Sequence, residues 1–228
     1  MTTESSRVPA GSSPERVGFF TDAVFAIAMT LLVIEIPRPE EAPEFTVGDG
    51  VGKAEAAANL WHFLTDETGS FVAYFLAFLI LWTAWRQHHR LFDSIERVSP
   101  GVLAWHFPLL LLIGFLPYPT SIIGHHTHNP AAALLFTVMV GALMVCRAGV
   151  QSQALRDGLV IRTEDQAVIR HSALISWAVT GYWILTLVLC WWTPWVIIAW
   201  SVSPVLPEVL RAIAGWDGRR RPTSIGSS

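Results

Sequence analysis

Apolar runs of bilayer length recur along this chain, at roughly residues 17–37, 69–88, 102–123, 131–150, 171–190 and 195–213. A bilayer core about 30 Å thick takes roughly 20 apolar residues per helical crossing, and inside hydrocarbon a backbone can satisfy its hydrogen bonds only as a helix or a closed barrel. The expected fold is therefore all-α, a polytopic membrane bundle of six transmembrane helices. The last division is drawn at Trp191-Trp192-Thr193-Pro194, an aromatic and proline cluster of the kind found at membrane interfaces. Composition agrees: 52% of the 228 residues are hydrophobic and 14% charged, against roughly 25% charged in a soluble domain. Six crossings leave no room for a soluble domain of ordinary size. The first 16 residues are polar and the run after them lacks a small-residue cleavage site, so a removable signal peptide is not expected. A formal net charge of -3 gives no reason to expect nucleic acid as a partner.

Counting basic residues in alternate flanks gives the orientation. Arg7, Arg16, Arg86, Arg90, Arg97, Arg147, Arg156, Arg162, Arg170, Arg211, Arg219, Arg220 and Arg221 fall on one side of a six-helix chain, and only Arg38 and Lys53 on the other. Cytoplasmic loops carry the excess of Lys and Arg, so both termini are expected inside a multi-pass protein of the cell membrane. Residues 1–15 are then a cytoplasmic N-terminal tail, 16–214 the six-helix transmembrane domain and 215–228 a cytoplasmic C-terminal tail. The loop at about 38–68 is external and acidic, with Glu40, Glu41, Glu44, Asp49, Glu55, Asp66 and Glu67 against two bases. It either concentrates cations at an entrance or is simply a solvated loop.

The first apolar run carries three ionisable residues at or inside its ends: Arg16, Asp22 and Glu35. Charges in a span are expensive and normally pair or face water. Arg16 and Asp22 are six positions apart, too far for a pair along one helix, so each is expected to find partners on other helices. Such residues either belong to a conduction element or clamp helices together. From Ile27, positions i+3, i+4 and i+7 are Thr30, Leu31 and Ile34, one helical stripe of branched side chains with a single hydroxyl. Inside a monomer that stripe is packing. Repeated about a symmetry axis, it makes stacked apolar rings with one polar ring, which gate by dewetting.

The pattern Arg16-x-x-x-Phe20-Thr21-Asp22, followed by Ala23-Val24-x-Ala26-Ile27-x-x-Thr30-Leu31-Leu32-Val33, resembles the signature first helix of the transmembrane-protein-175 potassium channel family, in particular its six-helix prokaryotic members. The family pattern has Ser where Thr21 stands, a change that keeps the hydroxyl and adds a methyl. Trp85-x-x-His88-His89-x-x-Phe92 is similar to the family's Trp-x-x-His-His element on the second helix. The resemblance implies a homotetrameric channel conducting passively, with modest preference for potassium over sodium and a pore lined by the first helix of each subunit. It implies Ile27 as the main hydrophobic constriction, Leu31 and Ile34 as further rings, and Thr30 as the selectivity layer. Arg16, Phe20, Thr21, Asp22 and Trp85, with His88 or His89, would form the polar network that holds the pore helix. It implies no cofactor, no metal and no enzymatic activity, the partners being potassium ions, the lipid bilayer and three further copies of the chain.

Outside these motifs, His125-His126-Thr127-His128 in an external loop could bind a transition metal weakly, and His88 or His89 with His106 is the one set of histidines suited to haem between helices. Cys146 and Cys190 lie in apolar runs, as small hydrophobes, without metal-ligand spacing. Pro117-x-Pro119 and Pro204-x-x-Pro207 are expected to kink the third and sixth helices. Arg219-Arg220-Arg221 suits anionic lipid or a topology signal. No nucleophile elbow, phosphate loop or acid–base carboxylate pair is present in the sequence. The readings that remain are a cation channel, a small secondary transporter of cations, and a haem- or metal-binding membrane protein.

Overall fold

The structure, a computed structural model, describes residues 13–39, 42–48 and 50–213. Nine α-helices are present among them: α1 Pro14–Leu31, α2 Lys53–Asp66, α3 Thr68–Phe92, α4 Pro100–Phe115, α5 Pro117–His125, α6 Pro130–Arg156, α7 Thr163–Thr186, α8 Thr193–Val202 and α9 Leu206–Ile213. Cap–proline pairs set several starts. Ser13-Pro14, Ser99-Pro100 and Asn129-Pro130 open α1, α4 and α6, each cap side chain accepting a first-turn N–H while proline, which has no N–H to lose, takes the next position. At the far end of α6, Gly158 adopts φ +61°, a left-handed residue that lets the Gly158 and Leu159 N–H groups cap the Leu155 and Ala154 carbonyls.

Five helical stretches are long and apolar enough to cross a membrane among the described residues: Pro14–Glu35, Thr68–Phe92, Pro100–His125, Pro130–Arg156 and Asp165–Trp191. They coincide with the first five expected spans. The third bends at Leu116-Pro117, where α4 gives way to α5, as expected of the proline pair. The expected sixth helix at 195–213 is not continuous. It is α8 and α9, of 10 and 8 residues, parted by a turn at 203–205. Pro204 lacks the N–H that would continue the ladder, so the proline pair breaks this helix rather than bending it. The stretch at 38–68, expected to be an external loop, is not all loop either, since it contains α2. Arg219-Arg220-Arg221 lies outside the described residues, as do the outermost parts of both expected tails.

The hub of the bundle is α6, whose span is 67% buried, packed between α4 and α7, while the span of α1 is only 22% buried. The first helix lies on the outside of its own protomer, seated against α3 and α4. Where α3 meets α5 the backbones nearly touch. A Cβ added to Gly124 would lie 2.9 Å from the Ser70 Cα, and one on Gly69 would lie 2.7 Å from the Gly124 carbonyl oxygen. Small residues allow this approach, and backbone atoms cannot swing aside as a side chain can. Gly124→Ala should therefore destabilise the bundle by about 1–3 kcal/mol, read as a lower thermal unfolding midpoint in detergent. Gly18→Ala, which meets nothing within 4 Å, should leave that midpoint unchanged or raised, because alanine is the better helix former.

Candidate functional site

One face of α1 is consumed by the protomer. Thr21, Phe25 and Ala28 are buried against α3 and α4, and Leu32, in the 3-10 turn Leu32–Glu35 that prolongs α1, is buried where that turn meets α3 and α5. The opposite face is the stripe singled out in the sequence, and nothing among the described residues covers it: Ile27 is 58% exposed, Ile34 57% and Leu31 40%, with Ala23, Ala26 and Thr30 also exposed. The Thr30 hydroxyl donates to the Ile27 carbonyl at 2.8 Å. Its single proton is thereby spent on the backbone, and what the side chain offers outward is oxygen lone pairs.

On the flank of α1 toward α3, Trp85 Nε1 donates to Asp22 Oδ1 at 2.8 Å. The His89 ring stacks on Trp85, centroids 5.5 Å apart, and brings Nδ1 to 3.8 Å from Asp22 Oδ2. On the buried flank a second chain of polar groups runs inward. Thr21 Oγ1 donates to the Val17 carbonyl at 2.7 Å and lies 3.0 Å from His106 Nε2, which is itself 3.1 Å from His88 Nε2. Between the two Nε2 atoms one ring donates and the other accepts, the tautomers setting which, and Thr21 Oγ1 can serve His106 Nε2 as donor or acceptor. Phe92 stacks on the His88 ring at 4.2 Å and Phe25 lies 6.1 Å away, closing the pair off from solvent.

The two histidines of the sequence motif are therefore not alternatives. His89 belongs to the half-exposed Asp22 branch and His88 to the buried Thr21 branch. His106 of α4 completes the second branch and was not placed in the network from sequence. No local motif surrounds it, and the only available signal was a polar ring in an otherwise apolar span. Arg16 departs from expectation: its side chain is exposed, makes no hydrogen bond or ion pair among the described residues, and lines a groove with Val17, Phe20, His106 and Phe107. Six residues on a helix rotate it well away from Asp22 and toward the open face. Phe20, 63% exposed, stands on that face too. No group of three or more His, Cys, Asp or Glu side chains converges on a metal-sized site among the described residues, His125, His126 and His128 included.

The sequence model of the family described as endosomal/lysosomal potassium channel TMEM175 matches residues 16–117, which hold α1, Asp22, both motif histidines and His106. A potassium channel of Chamaesiphon minutus is 31% identical over 136 residues, covering 60% of this chain and 62% of that protein. A potassium channel of Streptomyces collinus is 29% identical over 133 residues, 58% of each. The human endosomal/lysosomal proton channel TMEM175 is 25% identical over 165 residues, 70% of this chain and 30% of that one. The matches thus span about three fifths of the length of the two bacterial relatives. In fold, the crystal structure of a lysosomal potassium-selective channel TMEM175 homolog from Chamaesiphon minutus superposes with a TM-score of 0.69 at 23% identity, covering 89% of this chain and 98% of that one. Over residues 16–117, which carry most of α1 and the polar groups behind it, the chain is thus similar to the TMEM175 family, and its bundle has the fold of the Chamaesiphon minutus structure.

Proposed function

We propose that four copies of this chain form a passive cation channel of the cell membrane that prefers potassium modestly over sodium, with α1 of each subunit lining the pore and both termini cytoplasmic. In this reading α8 and α9 together make a broken sixth crossing. One observation carries it: the Ile27, Thr30, Leu31 and Ile34 stripe is left open by its own protomer, on a helix whose other face is locked in place. Around a four-fold axis Ile27, Leu31 and Ile34 become apolar constrictions that open by wetting, and Thr30 becomes a ring of oxygen acceptors suited to a partly dehydrated cation. Potassium is favoured over protons as the permeant ion because no titratable side chain stands between Asp22 and Glu35, and because the two bacterial relatives are named potassium channels.

Purified protein in liposomes should carry potassium down its gradient without sodium or a proton gradient. Flux that requires a co-ion would instead make it a transporter. Crosslinking in mild detergent should trap tetramers, and monomer alone would remove the pore geometry. Thr30→Ala should cut the potassium-to-sodium permeability ratio severalfold while flux persists, since about 1 kcal/mol of discrimination is roughly a fivefold ratio. Ion-replacement recording checks it, and an unchanged ratio would take Thr30 out of the selectivity layer.

A further inference from the structure

At the end of the bundle that carries the termini, α6 and α7 diverge around a groove of about 690 Å³ on the outer surface. Its α7 wall is a helical stripe, Thr163, Ala167, Arg170 and Leu174, at i, i+4, i+7 and i+11. Its α6 wall is Leu155 and Arg156. Arg156 and Arg170 are exposed and make no ion pair among the described residues. The carboxylate that follows Arg156 in the chain, Asp157, is already held by Ser99 and Gln153. The groove thus has two exposed arginines at its mouth, with the neighbouring carboxylate turned to Ser99 and Gln153. Leu174 lies four residues, about 6 Å, deeper along the span than Arg170 and is 63% exposed. Below it Trp177 Nε1 donates to the Ser152 hydroxyl at 3.0 Å, tying the two helices together and closing the groove.

We infer that this groove is a binding site for an anionic phospholipid, with the phosphodiester between Arg156 and Arg170 and an acyl chain along Leu155 and Leu174. Both helices are membrane spans, so the apolar half of the groove is continuous with their lipid-facing surface, and basic pockets between such helices fit anionic headgroups. A soluble phosphate would engage the arginines alone, whereas Leu155 and Leu174 line the same groove on its lipid-facing side and are matched only by a ligand that carries an acyl chain. The occupant is therefore a lipid rather than a nucleotide or free phosphate.

The full chain, reconstituted in phosphatidylcholine bilayers, is probed with spin-labelled phosphatidylglycerol or spin-labelled phosphatidylcholine, reading the motionally restricted lipid fraction. The wild type should restrict phosphatidylglycerol preferentially. Arg156→Gln and Arg170→Gln should each lower that preference about fivefold, following roughly 1 kcal/mol per arginine at the surface, while the Lys variants keep most of it. Three results would overturn the site: no preference in the wild type, a preference that survives Arg156→Gln/Arg170→Gln, or displacement of the lipid by millimolar glycerol phosphate, which would make the groove a receptor for soluble phosphate. The wild-type comparison stands even if a variant fails to fold, and the readout needs no conduction, so its failure is separable from failure of the channel reading.

Discussion

Ile27→Asn raises potassium flux through the reconstituted protein by about tenfold or more. In the proposed tetramer a ring of four isoleucines at a narrow point would hold water out, and a cation crossing it would shed hydration with no oxygen to replace it. Asn keeps similar bulk and supplies both a donor and an acceptor, so water can remain in the constriction. Lowering the barrier by only about 1.4 kcal/mol is tenfold in rate. The comparison that isolates the pore is Phe75→Asn on α3, where the side chain is 62% exposed, much like Ile27, but belongs to another helix. If both side chains face lipid, neither substitution raises flux. If α1 surrounds the axis, only Ile27→Asn does, and flux assays of the two variants side by side decide it.

That stripe was legible in the sequence because a helix turns periodicity into geometry: residues 27, 30, 31 and 34 share a face whatever lies around them. Whether the face was packed or open was not legible, because a Leu and Ile stripe reads the same against a neighbouring helix as against a symmetry mate. The protomer resolves one half of that ambiguity by burying Thr21, Phe25, Ala28 and Leu32 instead. The first five spans were visible as apolar runs, and their helices extend beyond those runs because caps and polar turns at 13–14, 99–100 and 129–130 set the ends rather than hydropathy. The sixth run failed as one helix because hydropathy does not register a missing N–H, and Pro204 counts as one more residue in an apolar stretch.

The polar anchor was partly visible for a related reason. Asp22, Trp85 and the two histidines sit in recognisable local patterns, whereas His106 is joined to Thr21 only through the fold, across 85 residues of chain. Arg16 was drawn into the network by its place in the motif. Helical rotation points it instead toward the open face and the groove it shares with Phe20. Motif membership thus marked the helix correctly and left the partners of each side chain to tertiary packing.

The same packing makes the neighbouring histidines unequal, and the second large effect follows from it. His88→Ala should destabilise the protein by about 3–5 kcal/mol, as large-to-small changes of buried rings do. The His88 residue is only 4% exposed and is enclosed by Phe25, Phe92 and His106, so its removal leaves a cavity beside the first half of α1. It also takes away one hydrogen-bond partner of His106 Nε2, while Thr21 remains as the other. His89→Ala, by contrast, removes a ring whose side chain is 50% exposed and whose contact with Asp22 is 3.8 Å long. Exposed pairs of that kind contribute about 0–1 kcal/mol, and Trp85 still holds the carboxylate. Thermal unfolding in detergent should therefore show a large downward shift for His88→Ala and a small one for His89→Ala. The order of the two shifts is the test: equal losses, or the larger loss at His89, would mean that the Asp22 branch rather than the buried Thr21–His106–His88 chain fixes α1 to the bundle.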